Sequence, residues 1–441
     1  MSRDFSCDLP LPPGGYGLPF VGETLHILFM GKNYLSRKRE TYGEVYKTHI
    51  LGSPTIRIIG HKNVKQVLRG ENTIVQAKWP ASTFMLLGEG SLSQTTGYFH
   101  RIRKKAITKA FTFDAMSRYL PMIQDVSRKY IRDWCEKQKV MGHHALKTMN
   151  FDLACRLLLG FCGSDEECKQ LADIFEDFTA NIFSIPIKIK GFGFSKALTA
   201  RQKLLQKIDD IIENRDISND GLDVLSSILK AQGSENLSVN DVKNLCLELL
   251  FAGHETTTSA TCSLAFYLAK NPEIVRKLKD EFEKCGVEKK TDVNLQELNQ
   301  LNYLNNVIKE VLRISPPIGG GFRKALKTFE INGYQVPKGW TVAYAIRDTQ
   351  ETSVVFDDAE IFNPDRWDSV SSLKSQFHFI PFGGGKRVCV GKDLAKLILK
   401  TFAFELVVGC KWTLENEGTR FTNFPVPTPV DGLPLRFSSI H

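Results

Sequence analysis

No run of about twenty apolar residues occurs in the 441-residue chain, so no helix long enough to cross a bilayer is expected. The N-terminus, Met1-Ser2-Arg3-Asp4-Phe5-Ser6-Cys7, is polar and has none of the apolar core of a secretory leader. Ten cysteines are present, yet none pairs as C-x-x-C and they form no regular framework. That excludes a disulfide-bonded secreted scaffold and leaves reduced thiols in a cytosol-facing protein with no anchor in this chain. No segment repeats, which excludes a solenoid. Lys and Arg are scattered and no nucleic-acid-reading module occurs, so the net charge of +9 suits an acidic protein, an anionic membrane surface or an acidic small molecule better than nucleic acid. A low-complexity linker is missing as well. Length alone suggests about three domains, but helical patterning is continuous from about residue 97 to 314. One α-rich domain over 1–441 is therefore expected, with a stiff proline-rich arm over 1–18.

What is present reads as mainly α with a small β region. Strands are expected over 43–50 and 55–60, joined by a Gly-Ser-Pro turn, and a hairpin over 328–337 turns on Asn332-Gly333. Trp340 to Ile346 continues as a strand. Residues 77–96, with Trp79, Phe84 and Met85, have no period and read as an apolar loop. A helix from Gly97 to Phe111 puts His100 and Lys104, four apart, on one face. Helices follow over 114–138, 151–160, 168–185 and 198–214. The longest pattern opens on Ser238 as N-cap with Asp241 as capping-box acid and runs to Asn271-Pro272. Polar residues interrupt its apolar face at Ala252-Gly253-His254-Glu255-Thr256-Thr257, where Gly253 and the Thr256 hydroxyl suit a local kink. The next helix, Leu298 to Ile314, is stopped by Pro316-Pro317 and carries Glu310 and Arg313.

The densest signal is Phe382-Gly383-Gly384-Gly385-Lys386-Arg387-Val388-Cys389-Val390-Gly391. Three glycines let the backbone take positive φ and approach a flat partner. A helix beginning at Lys392 leaves Cys389 near free N–H groups, which favour a thiolate over a thiol. Taken alone, a Cys is more often a small buried hydrophobe and a Glu-x-x-Arg an exposed ion pair. A Thr-rich turn is more often helix packing. Lys392, Lys396 and Lys400 recur every four residues and share a face, which is either solvated or a docking stripe.

Phe382, Gly385, Arg387, Cys389 and Gly391 match Phe-x-x-Gly-x-Arg-x-Cys-x-Gly and resemble the haem-binding loop of the cytochrome P450 family. The resemblance implies that family's fold, an α-rich triangular prism with haem b between the long central helix and the helix after the Cys loop. It implies Cys389 as axial thiolate ligand, with electron density pushed toward dioxygen. Arg387, His100, Lys104, Arg323 and Phe382 would hold the haem, and Glu255 and Thr256 would relay protons. Glu310, Arg313 and Arg366 would form a buried cluster locking the backbone that presents Cys389.

Longer blocks go further. Phe20-Val21-Gly22-Glu23-Thr24-Leu25, Trp79-Pro80-Ala81-Ser82, Phe251 to Thr256, Gly320 to Glu330 and Pro429-Val430-Asp431-Gly432-Leu433-Pro434 resemble the animal retinoic-acid hydroxylases and their soluble cyanobacterial relatives. This implies 4-hydroxylation of all-trans retinoic acid, with Trp79, Phe251, Thr256 and Gly320 bordering the retinoid. It also implies a monomer that takes electrons from an external NADPH-cytochrome P450 reductase or ferredoxin on a basic proximal face, at the endoplasmic reticulum membrane. A P450 acting on a sterol or fatty acid is the nearest alternative. A haem-thiolate sensor or retinoid-binding protein is another, but it has no use for Glu255 and Thr256. Lys104 departs from the Arg of many members.

Overall fold

A computed structural model describes residues 3–18, 21–161, 163–215, 223–369 and 375–440. Phe20, and Met1 and Ser2 of the arm, lie outside the described residues. The chain folds into two compact units, one of Met1–Lys78, Asn305–Cys389 and Gly418–Asp431, the other of Trp79–Leu304, Val390–Glu417 and Gly432–His441.

The first unit contains β1 (Val45–Ile50), β2 (Ser53–Ile58), β3 (Val75–Ala77), β4 (Gly320–Ala325), β5 (Phe329–Ile331), β6 (Tyr334–Val336) and β7 (Thr341–Ala345). Five of them make one sheet in the order β1-β2-β7-β4-β3, parallel only at β2 and β7, where Ile56 lies opposite Val342. Ile56, Ile58, Val64, Val67, Trp340 and Val342 fill the core on this sheet. Leu51 (φ 50°) and Gly52 (φ 72°) carry the β1–β2 turn, so it ends before Ser53 and Pro54, which belong to β2 rather than to the expected turn. The β5–β6 hairpin turns on Asn332 (φ 51°) and Gly333 (φ 79°), as its Asn-Gly pair requires. The glycines of β4 answer to a neighbouring strand: a Cβ on Gly320 would stand 2.3 Å from the Tyr344 carbonyl oxygen, and one on Gly321 2.6 Å from the Tyr344 hydroxyl.

The second unit is helical. It holds α1 (Gly97–Thr108), α2 (Phe113–Lys137), α3 (Gly142–Ala154), α4 (Asp165–Thr179), α5 (Gly193–Glu213), α6 (Val239–Lys270) and α7 (Lys392–Gly409). The 32 residues of α6 extend about 48 Å. Its expected cap is present: Ser238 Oγ accepts from the Asp241 amide at 3.0 Å and Asp241 Oδ2 accepts from the Ser238 amide at 2.9 Å. Thr257 to Phe266 are buried all round, whereas Phe251, Ala252, Gly253, Glu255 and Thr256 keep partial exposure. Three expectations change. The 77–96 loop contains a short helix, Ala81–Leu87. The 151–160 helix begins at Gly142 and closes with a π turn over Cys155–Leu159. The single helix over 298–314 is two, Leu295–Gln300 and Asn302–Ile314, because the Glu281 carboxylate accepts from the Tyr303 amide at 2.7 Å and the Leu304 amide at 3.0 Å and so caps a new N-terminus there. No described helix is long and apolar enough to cross a membrane.

In the first unit the helix Asn302–Ile314 delivers Glu310 and Arg313, both 0% exposed. Arg313 donates from Nε to Glu310 Oε2 at 2.9 Å and from Nη2 to Oε1 at 2.8 Å. Arg366 Nε reaches Oε1 at 3.0 Å, Trp367 Nε1 reaches Oε2 at 3.0 Å, and the Asn363 amide reaches Oε1 at 3.0 Å. The guanidinium groups also bind the carbonyls of Asp358, Ala359 and Ile361. A buried carboxylate so surrounded is tolerable only while every donor stays. Glu310→Ala is expected to lower stability by about 3–5 kcal/mol, read as a fall in the urea midpoint with an unchanged m-value.

Candidate functional site

In the first unit the Cys loop is held by short-range geometry and one long reach. The Cys389 amide donates to the Phe382 carbonyl at 3.0 Å, and the side chain of Cys389 is exposed. Gly383 (φ 70°) and Gly385 (φ 66°) take the left-handed region, while Gly384 does not. A Cβ on Gly385 would lie 2.2 Å from the Leu68 carbonyl oxygen, so the partner this glycine approaches is the helix His61–Arg69. The long reach comes from Gln350, which is fully buried. Its Nε2 donates to the carbonyl of Arg313 at 2.8 Å while its Oε1 accepts from the Ile380 amide at 3.0 Å. The Glu310 cluster is thereby tied to the residue two before Phe382. No local pattern in the sequence marks Gln350.

Arg387 and Arg323 meet on one acid that the sequence reading missed. Arg387 Nε donates to Glu71 Oε1 at 2.6 Å and Arg323 Nε to Glu71 Oε2 at 2.8 Å, with Glu71 only 1% exposed. Glu71 follows Arg69-Gly70 in a turn, and nothing near it in sequence announces a partner some 250 residues on. Its two oxygens fix the planes of both guanidinium groups. An exposed thiol at the end of a glycine turn, with two oriented guanidinium groups in the same unit, fits a haem: a thiolate for the iron and cations for the propionates. Phe382, partly buried, belongs to the same loop.

The second unit carries the other candidates. On α1, His100 is buried and Lys104 half-buried, four residues apart on one face. Trp79 remains 39% exposed. Phe251 meets the Phe178 ring edge-on at 6.4 Å. The Thr256 hydroxyl donates to the Ala252 carbonyl at 2.6 Å, the back-bond its place in α6 suggested. Glu255 Oε1 lies 3.4 Å from His254 Nδ1 and 3.9 Å from Lys147 Nζ. Burial pushes the Glu255 carboxyl up, but the adjacent His254, then Lys147 and His143, outweigh it and leave the group below the usual carboxylate range. The lysine stripe on α7 is shorter than its spacing implied. Lys400 is buried and donates to Asn299 Oδ1 at 2.6 Å, and burial brings its ammonium down to about 8. Only Lys392 and Lys396 of the three remain partly open, because the face that holds Lys400 packs inward.

A helix-rich chain with this Cys loop and buried Glu–Arg–Arg cluster defines a haem-thiolate monooxygenase, an oxidoreductase that uses dioxygen and electrons supplied by a separate redox partner. The chain belongs to the cytochrome P450 family, whose model matches residues 12–428. It is 42% identical to cytochrome P450 26A1 of Danio rerio, over 99% of this chain and 92% of that one. To cytochrome P450 26B1 of Xenopus tropicalis it is 40% identical, over 99% and 88%. Among solved structures it is similar to retinoic-acid-bound cyanobacterial CYP120A1, at 33% identity and a TM-score of 0.90, covering 98% of this chain and all of the other. The fold expected from the sequence is therefore the fold observed.

Removal of the shared acid tests the arginine pair. Glu71→Ala leaves two guanidinium groups without their common acceptor, and haem transfer to an apo-haem acceptor protein should quicken on the order of tenfold. Glu71→Gln, which keeps one acceptor oxygen, should fall between.

Proposed function

We propose that this protein hydroxylates retinoic acid, at C4 of the ring of the all-trans isomer, and so clears retinoid. The observation that carries the reading is the likeness to the retinoic-acid-bound structure over 98% of the chain. The sequence blocks around Trp79, Phe251 and Gly320 support it. On this reading residues 1–441 are one monomeric catalytic domain. Cys389 binds the haem iron, Arg387, Arg323, His100 and Lys104 meet the propionates, and Phe382 lies beside the ring. The bound haem supplies dioxygen activation and insertion of one oxygen atom into a C–H bond.

The chain's own residues place the substrate and handle protons. Trp79 and Phe251 are apolar walls for the polyene and ring, and Gly320 and Thr256 border the same ligand. Glu255 is the general acid and base, and Thr256 is the alcohol that accepts from it. The Thr256 hydrogen is committed to Ala252, so its oxygen lone pairs are the part left to receive a proton. Glu255 sits below the usual carboxylate range, so it is ionised at neutral pH and takes up a proton before each transfer.

Electrons come from an external reductase of NADPH-dependent or ferredoxin type. Lys392 and Lys396, at the start of the helix that follows the ligand cysteine, are the basic groups that meet its acidic face. The working site is the cytosolic side of the endoplasmic reticulum membrane.

Titration with all-trans retinoic acid should shift the absorption of the ferric enzyme, and Trp79→Ala should weaken that binding by about 1–3 kcal/mol. A shift with a sterol and none with retinoic acid would transfer the protein to another lipid class. For the redox partner, Lys392→Glu with Lys396→Glu should slow electron uptake at low salt and flatten its ionic-strength dependence while retinoid affinity holds. Wild-type electron uptake by the double variant would remove these lysines from the docking surface.

A further inference from the structure

His254 is 1% exposed in the middle of α6, with its ring edge-on to Phe151 at 5.4 Å and to Phe175 at 5.3 Å. Packing alone in such an aromatic nest calls for another apolar ring. Instead the imidazole has two polar errands. Nε2 lies 3.0 Å from the Lys147 carbonyl oxygen, and a carbonyl only accepts, so Nε2 carries a hydrogen. Nδ1 is buried without a well-aligned hydrogen bond and faces Glu255 Oε1 at 3.4 Å. With no proton on Nδ1 and an ionised Glu255, two lone-pair atoms confront each other. One proton between them turns the contact attractive.

The surroundings favour holding that proton at this place. From α3, Lys147 stands 3.9 Å from Glu255 and 3.4 Å from Glu176 of α4, whose side chain is 65% exposed. His143, also on α3, adds a second imidazole whose charge acts on Glu255. On α6 itself the buried Cys262 feels the same carboxylate. The carboxylate is thus held from the α3 and α4 side by Lys147, while His254 approaches it along its own helix.

We propose that His254 recharges Glu255, passing the proton on Nδ1 to Oε1 each time the carboxylate has given its own away. The inference rests on the reading of Glu255 as the proton-relaying acid. The N–H bond at Nδ1 breaks as the O–H bond at Oε1 forms. His254 stays behind as a neutral imidazole, still donating from Nε2 to the Lys147 carbonyl. Glu255 then releases the proton toward Thr256, and a proton from water, taken up through the part-exposed carboxyl, restores the pair. His254 touches neither substrate nor cofactor in this scheme and acts only through Glu255.

Two variants test it in the haem-loaded protein. His254→Gln keeps a donor for the Lys147 carbonyl and loses the ring nitrogen that faces Glu255; His254→Phe keeps the aromatic packing and loses both. Haem content and retinoid affinity identify which of them is folded. The first readout is an infrared titration of ¹³C-glutamate-labelled resting protein, with the Glu255 band assigned by its loss in Glu255→Gln. Either folded variant should move the Glu255 midpoint up by about one pH unit, a tenfold gain in proton affinity, because a neighbouring positive charge has gone. The second readout is product formed per electron pair over a pH series. The wild type should lose coupling as rising pH removes the Nδ1 proton, the folded variants should start low and change little, and His254→Gln should add nothing in a Glu255→Gln background. A Glu255 midpoint that stays put in the folded variants overturns the role of His254. So does a further loss of coupling in the double variant, which is the signature of a merely structural residue. If Glu255→Gln by itself leaves coupling intact, the reading of Glu255 falls instead, and the inference with it.

Discussion

One carboxylate accepting five hydrogen bonds is the constraint on which the first unit depends. Glu310 receives two guanidinium groups, an indole and a backbone amide, and those same guanidinium groups collect the carbonyls of a segment without regular structure. Irregular backbone has no ladder of its own to satisfy its polar groups, so it must borrow donors from side chains. The Arg313 and Arg366 forks supply them in a fixed plane. From there Gln350 transmits the position of the helix end to Ile380, and the Ile380 carbonyl accepts from Gly383 at 2.9 Å. The thiol is therefore placed by a chain of hydrogen bonds that starts more than seventy residues earlier. A flexible glycine loop is compatible with a well-placed sulfur only because its root is rigid.

The same logic of buried charge appears twice more. Glu71 aligns Arg323 with Arg387, and Glu248, buried on α6, accepts from the Ser93 amide at 2.8 Å and also from Leu92. In each case an acid that looks unremarkable in sequence organises groups distant along the chain. Lone buried charges are costly, and these are retained because each orients something other than itself.

That pattern explains what was readable in advance. Elements set by nearby residues were legible: the capping box at Ser238 and Asp241, the Asn332-Gly333 hairpin, and the start of α7 after Gly391. The buried cluster of Glu310, Arg313 and Arg366 was legible because its order and spacing are a family signature. Glu71, Gln350, Glu281 and the burial of Lys400 were not, since each depends on a partner brought near only by the completed fold. Lys400 is the instructive miss. Spacing by four correctly put three lysines on one side of a helix, but whether that side meets water is decided by what packs on it. The glycines of β4 teach a similar lesson, for their closest neighbour proves to be Tyr344.

The run from Thr257 to Phe266 has a consequence for where α6 absorbs a change of side-chain size. Ten successive residues of α6 are buried around the full circumference, and eight of them are Thr, Ser, Ala or Cys. Small side chains there let neighbouring backbones come close, and any enlargement must displace a packed neighbour. In the turn just before it, Ala252 is exposed and Phe251, Gly253, Glu255 and Thr256 keep partial exposure, while His254 is buried. The run from Thr257 to Phe266 thus serves as a gauge of spacing for what packs on it, and a change of side-chain size is more easily absorbed in the partly exposed residues that precede it.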